Sequence, residues 1–183
     1  MASVYVITGV PGIGKTTALI RLTKMLKNAG IDVDGFYSVE IKDKGERKGF
    51  SLVDVKTGDT VTLASTNGEG IKFGRYRVKV KNIDQFVPKV IQRAIENSKI
   101  IIIDEIGPME LFSSSFKKAV EDLLKTDKVI IAVVHRSFSH DLMKEVLKSA
   151  KAKIEVTESN RDVIHEQLFQ MLKSDHVFDE FSK

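Results

Sequence analysis

Gly9-Val10-Pro11-Gly12-Ile13-Gly14-Lys15-Thr16 fits the pattern GxxxxGK[ST] in full and follows directly on the apolar run Val4 to Ile7. A buried strand that hands over to a helix through such a loop presents several backbone N–H groups to one anion, and the helix adds its positive dipole end. Gly9, Gly12 and Gly14 are glycines because the chain must adopt dihedrals that a Cβ forbids and come close to the bound group. Lys15 supplies a compact cation for the β- and γ-phosphates of a nucleotide. Thr16, in the first turn of the helix that runs to about Ala29, supplies a hydroxyl for Mg²⁺. Gly9 to Thr16, with Val10, Pro11 and Ile13 as the loop's other members, is therefore the expected nucleotide-binding segment.

Working outward, Asn28-Ala29-Gly30 reads as a helix stop and Val33 to Ile41 as a second strand. Residues 42 to 82 change character. Gly49 to Val55, Val61 with Leu63, and Tyr76, Val78 and Val80 alternate as short strands between polar turns, so an antiparallel β insert is expected at about 42–82. From Ile83 the apolar positions take helical spacing, with Asn82 or Asp84 as cap and Pro88 placed near the first turn. Ile100 to Ile103 is then a continuous β-branched run, the pattern of a strand buried on both faces of a parallel sheet. Phe116 to Leu124, Leu142 to Ala150 and Val163 to Leu172 read as helices, alternating with strands at Val129 to Val134 and Ile154 to Val156. This alternation predicts one α/β domain over 1–183: a doubly wound, mainly parallel sheet with helices on both faces, its ligand crevice at the strands' carboxyl ends.

Asp104 and Glu105 terminate the isoleucine strand at the edge where the first strand delivers the phosphate loop. An acid there can hold the metal's hydration shell, and we assign that role to Asp104, with Thr16 as the second metal-side residue. Glu105 can orient or deprotonate a water in line with the γ-phosphate, which makes Lys15 and Glu105 the expected catalytic pair. Arg136 and Arg161 lie at the sheet edge expected to face the nucleotide and are candidates for phosphate or base contact. Arg47, Arg75 and Arg77 in the insert are further candidates. Phe50 and Tyr76 have rings able to stack on a base, and His135 reads as a structural histidine.

The 183 residues carry a net charge of +4, scattered over predicted helix faces and polar stretches, and they include no cysteine. Disulfides, thiolate metal sites and a nucleophilic cysteine are thereby excluded. Nucleic acid is not an expected partner, and no apolar run approaches membrane-spanning length. The chain begins in a core strand, so a cytoplasmic protein is expected.

The elements GVPGIGKTT, VDGFYSVEI, Arg47-Lys48-Gly49-Phe50, FGRYRV, IIIIDEIGPMEL and TESNRD, in this order, closely resemble the small P-loop nucleoside-triphosphatases first described in thermophiles, which include the cancer-related nucleoside-triphosphatase. The resemblance implies a RecA-like sheet in which another strand separates the phosphate-loop strand from the acidic strand. It also implies Mg²⁺-dependent hydrolysis of ATP, GTP, CTP and UTP with little base discrimination. The family's second nucleotide segment maps onto Ile100, Ile101, Ile102, Ile103, Asp104, Glu105, Ile106 and Gly107. Two other readings of the residues stay open: a nucleoside or nucleotide kinase that passes the γ-phosphate to a small acceptor, and a nucleotide-dependent switch without catalysis. No NKxD guanine-reading motif occurs.

Overall fold

A computed structural model describes residues 1–179. Its backbone is one nine-stranded sheet, in the order β5-β6-β4-β3-β2-β7-β8-β1-β9. The strands are β1 (Ser3–Thr8), β2 (Val33–Asp43), β3 (Glu46–Asp54), β4 (Thr60–Ser65), β5 (Ile71–Phe73), β6 (Tyr76–Val78), β7 (Ile100–Ile106), β8 (Val129–Val134) and β9 (Ala150–Glu155). The helices are α1 (Lys15–Asn28), α2 (Val80–Asn97), α3 (Ser114–Leu124), α4 (Asp141–Lys148) and α5 (Ile164–Ser174).

The isoleucine run behaves as expected. Ile101, Ile103 and Ile106 face a core shared with α2, α3 and α4, while Ile100 and Ile102 face a second core shared with α1 and α5. Side chains on a strand point alternately to the two sides, so an unbroken apolar run is what a sheet covered on both faces requires. In β8 every residue is buried.

The parallel half of the sheet, β2-β7-β8-β1-β9, continues directly into an antiparallel half, β2-β3-β4-β6-β5. The sheet is therefore mixed rather than mainly parallel. The segment expected as an antiparallel β insert extends the main sheet, because β2 is long enough to pair with β7 through Val33–Phe36 and with β3 through Phe36–Asp43. At this junction Gly35 has φ +124°, and a Cβ there would lie 2.0 Å from the Ile102 carbonyl oxygen. Only glycine lets β2 lie this close to β7.

Two further boundaries move. Helix α2 begins at Val80, without a side-chain cap. The expected caps are engaged elsewhere: the Asn82 amide donates to the Thr62 carbonyl (2.9 Å), and Asp84 accepts from the Ser113 hydroxyl. Pro88 thus lies well inside the helix, where burial of Ile83, Val87, Val90, Ile91 and Ala94 offsets its cost of about 3 kcal/mol. Strand β9 starts at Ala150, and its residues alternate half-buried and exposed as suits the sheet's edge.

An ion cluster ties α2 to the antiparallel half. Arg93 donates from Nε to Asp34 (2.8 Å) and from Nη1 and Nη2 to Asp54 (both 2.9 Å). Asp34 is 0% and Asp54 5% exposed, so one guanidinium is shared between two carboxylates that have left water.

Candidate active site

The loop Gly9–Gly14 links β1 to α1 at the carboxyl end of the parallel strands. Gly9 is buried with φ +154°; a Cβ would approach the Val156 carbonyl oxygen to 2.9 Å and the Ile13 side chain to 3.0 Å. Ile13 anchors the loop in the core against α1, while Val10, Pro11 and Gly12 stay exposed. Gly14 occupies the cap position of α1 with φ +113° and offers no side chain to the first-turn N–H groups. Those donors are left for an anion.

The Lys15 ammonium donates to the Gly9 and Val10 carbonyls (2.7 and 3.1 Å), folding over its own loop. Burial lowers its pKa, and the charges of Glu105 and Asp104 pull it back up. Thr16 Oγ1 donates to Asp104 Oδ2 at 2.7 Å and reaches the Ser38 carbonyl at 3.3 Å. The Ser38 N–H donates to the same Asp104 oxygen at 3.3 Å. Three elements, α1, β2 and β7, therefore meet at one carboxylate.

Asp104 is 1% exposed. Burial pushes its pKa up to about 7, with the charge of Glu105 adding to the rise and the Thr16 hydrogen bond opposing it. Pairing between β7 and β8 slips here: Asp104 lies opposite Val133, but Ile106 lies opposite Val134, so Glu105 is the extra residue of a bulge. Bulges re-aim side chains at strand ends. Glu105 accordingly joins Asp104 in lining a cleft of about 550 Å³ that includes Gly9, Gly12, Gly14, Lys15 and Thr16. Burial raises the Glu105 pKa, against the charges of Lys15 and His135.

Two participants, Ser38 in VDGFYSVEI and Glu110 in IIIIDEIGPMEL, were given no role from the sequence. Ser38 acts through its backbone, which side-chain identity does not encode. Glu110, 4% exposed, begins a single 3-10 turn (Glu110–Phe112) and lines the cleft beside Glu105. Burial and the charges of Glu105 and Asp104 raise its pKa well above the carboxylate range.

The remaining candidates separate. Arg136 lines the cleft and pairs with Glu155 at 3.2 Å, both side chains being half exposed. His135 also lines it, and its Nδ1 accepts from the Ser137 N–H (3.2 Å). Arg161 is exposed in the turn after β9, where its N–H donates to the Thr157 carbonyl, and it is not among the lining residues. Ile100 to Ile103 are 0% exposed and Ile106 is 1% exposed, so these members of the acidic-strand segment belong to the two cores. Gly107 packs against Glu105: a Cβ there would meet Glu105 Oε1 at 2.6 Å. In the insert, Arg47 and Phe50 line the cleft, whereas Tyr76 stands behind Phe50 at 5.4 Å between ring centroids.

A hydroxyl and a buried carboxylate side by side form a hard oxygen donor set. Mg²⁺ takes one or two such protein ligands and completes its shell with phosphate oxygens and water. Burial outweighs the charge of Lys15 in raising the pKa of Asp104, and a bound cation would favour the ionised form of its carboxyl.

A family model described as NTPase matches residues 4–169. The chain belongs to this NTPase family. Among its relatives, the nucleoside-triphosphatase THEP1 of Thermofilum pendens is 36% identical over 173 residues, covering 93% of this chain and 95% of the relative. That of Methanocaldococcus jannaschii is 40% identical over 132 residues, covering 72% and 78%. The crystal structure of THEP1 from Aquifex aeolicus superposes with a TM-score of 0.80 at 32% identity, covering 92% of this chain and 98% of the other. The solution structure of a human cancer-related nucleoside triphosphatase gives 0.77 at 30% identity, covering 95% and 98%. The NTPase match spans β1 to α5 and so contains both the phosphate loop and the acidic strand end.

Proposed function

We propose that this NTPase-family chain hydrolyses nucleoside triphosphates, ATP, GTP, CTP and UTP alike, to the diphosphate and phosphate, and that it requires Mg²⁺. The observation that carries the reading is the convergence of Thr16 and Asp104 beside the phosphate loop. The backbone N–H groups between Gly9 and Thr16, Pro11 having none, hold the phosphates, and Lys15 leaves its loop carbonyls to meet the β- and γ-oxygens. Thr16 and Asp104 would hold Mg²⁺, which when bound would neutralise charge on those oxygens. Glu105, re-aimed by its bulge, orients the attacking water and takes its proton. Its burial keeps it basic enough for that task. Arg136 is positioned to exchange Glu155 for phosphate charge.

The order β7-β8-β1, with one strand between the acidic and loop strands, supports a doubly wound, RecA-like reading of the parallel half. The continuous sheet supports reading the chain as a single P-loop domain. Among the described residues no helix is long and apolar enough to cross a membrane, and a cytoplasmic location belongs to the same proposal.

Phosphate release from the four nucleoside triphosphates, with Mg²⁺ and with EDTA, tests it. Release from all four that EDTA abolishes is expected. Release that EDTA leaves untouched, or that occurs with one base alone, overturns the metal or the specificity assignment respectively.

A further inference from the structure

The cleft is longer than its phosphate end. Across the sheet the loop strand β1 is followed by β8, then β7 with Glu105, then β2, β3, β4 and β6. The lining continues on that far side of β7 through Glu40 of β2, Arg47 and Phe50 of β3, Leu63 of β4 and Phe73 of β5. In the opposite direction none of the lining residues, among those described, comes from β9 or the turn that follows it.

This layout constrains what fills each end, on the reading of the site proposed above. In-line attack sets the water, the γ-phosphorus and the bridging oxygen on one line. Glu105, which handles the water, therefore lies beyond the γ-phosphate, and the α-phosphate with its ribose and base leaves in the other direction. The chamber past Glu105 is left over.

Its walls are built for a flat ring. Phe73 is 37% exposed and meets the exposed Phe112 edge-on at 6.1 Å, so its ring lacks full apolar cover. The Arg47 guanidinium lies over Phe50, 5.5 Å from the ring centroid. Arg47 Nε is buried without a hydrogen-bond partner among the described residues. Glu40 pairs with Arg47 and with Lys42, so the arginine's charge is already met and a phosphate gains little there. A neutral planar molecule fits better.

We propose that the chamber formed by Arg47, Phe50 and Phe73 binds a second, uncharged aromatic ligand of the nucleoside class beside the γ-phosphate, simultaneously with the triphosphate. Stacking on a phenylalanine face contributes strongly to nucleobase binding.

Equilibrium dialysis of labelled adenosine against the full chain tests the chamber, with its phosphate end empty, filled by Mg²⁺ and tripolyphosphate, or filled by a non-hydrolysable Mg·ATP analogue. We expect adenosine to bind in all three states, and Phe73→Ala to weaken it at least tenfold while leaving affinity for the ATP analogue unchanged. Loss of adenosine binding with the analogue but not with tripolyphosphate assigns the chamber to the triphosphate's own base and overturns the proposal. So does an absence of adenosine binding at millimolar concentration, or an unchanged affinity in both Phe73→Ala and Phe73→Leu. Failure of the site reading itself shows separately: the ATP analogue then binds as well to Lys15→Ala as to the natural chain.

Discussion

Thr16 Oγ1 and Asp104 Oδ2 lie 2.7 Å apart although 88 positions separate them in the chain. This contact fixes the phosphate loop's helix to the end of the acidic strand and sets a carboxylate, raised to about pKa 7 by burial, where a metal is needed. A carboxyl whose folded pKa exceeds its unfolded value near 4 holds its proton more tightly in the folded state. Stability is then highest below the unfolded value and falls as pH rises toward the folded one. Glu105 and Glu110 are shifted in the same direction. Urea unfolding of the nucleotide-free protein in EDTA should therefore show stability declining between about pH 4 and 7, with a shallower decline in Asp104→Asn. An identical slope in the variant would remove Asp104 from this account.

Lys15 and Glu105 line one cleft, but their loss should read differently. Lys15→Ala removes a charge that the phosphates meet in both ground and transition states, so Mg·nucleotide affinity and turnover should fall together. Glu105→Gln keeps the shape and discards the basicity, so binding should hold while turnover drops about tenfold or more. Titration of an ATP analogue alongside single-turnover phosphate release measures both. Normal turnover in Glu105→Gln would strip that residue of its role.

Arg93 is the side-chain cation that pairs with two buried acids, Asp34 and Asp54. Burial alone would push Asp54 up, but hydrogen bonds from Arg93 and from the Thr57 and Lys56 N–H groups outweigh it and hold the carboxyl below its usual range. The stability this contributes is present above the unfolded pKa near 4 and is lost as pH falls through the folded value. Arg93→Met should cost about 3–5 kcal/mol at neutral pH, since it strands buried charge. Denaturant midpoints would show it, and a loss under 1 kcal/mol would mean that water reaches the acids freely.

Gly35→Ala should be far more damaging than Gly58→Ala, although both glycines have positive φ. At Gly58 a Cβ meets open space, whereas at Gly35 it lies 2.0 Å from the Ile102 carbonyl. The expected costs are about 1 kcal/mol for Gly58→Ala and several for Gly35→Ala, enough to lose soluble protein. Equal thermal midpoints would show that β2 can shift away from β7.

Local pattern determined much of this protein. The GxxxxGKT loop between an apolar strand and a helix, and the acids closing the Ile100–Ile103 run, were legible because anion cradling and two-faced burial each demand residue types at fixed spacing. Tertiary structure decided what spacing does not encode. That β2 joins a parallel to an antiparallel half depends on its partners on both edges, which no local run of residues specifies. Ser38 enters the site through backbone atoms, and Glu110 is brought beside Glu105 by the turn that follows β7. The far chamber exists only because β3 and β5 bring Arg47, Phe50 and Phe73 to the cleft that begins at Gly9. Chain order carries the chemistry of each wall; the folded sheet alone sets the distance between them.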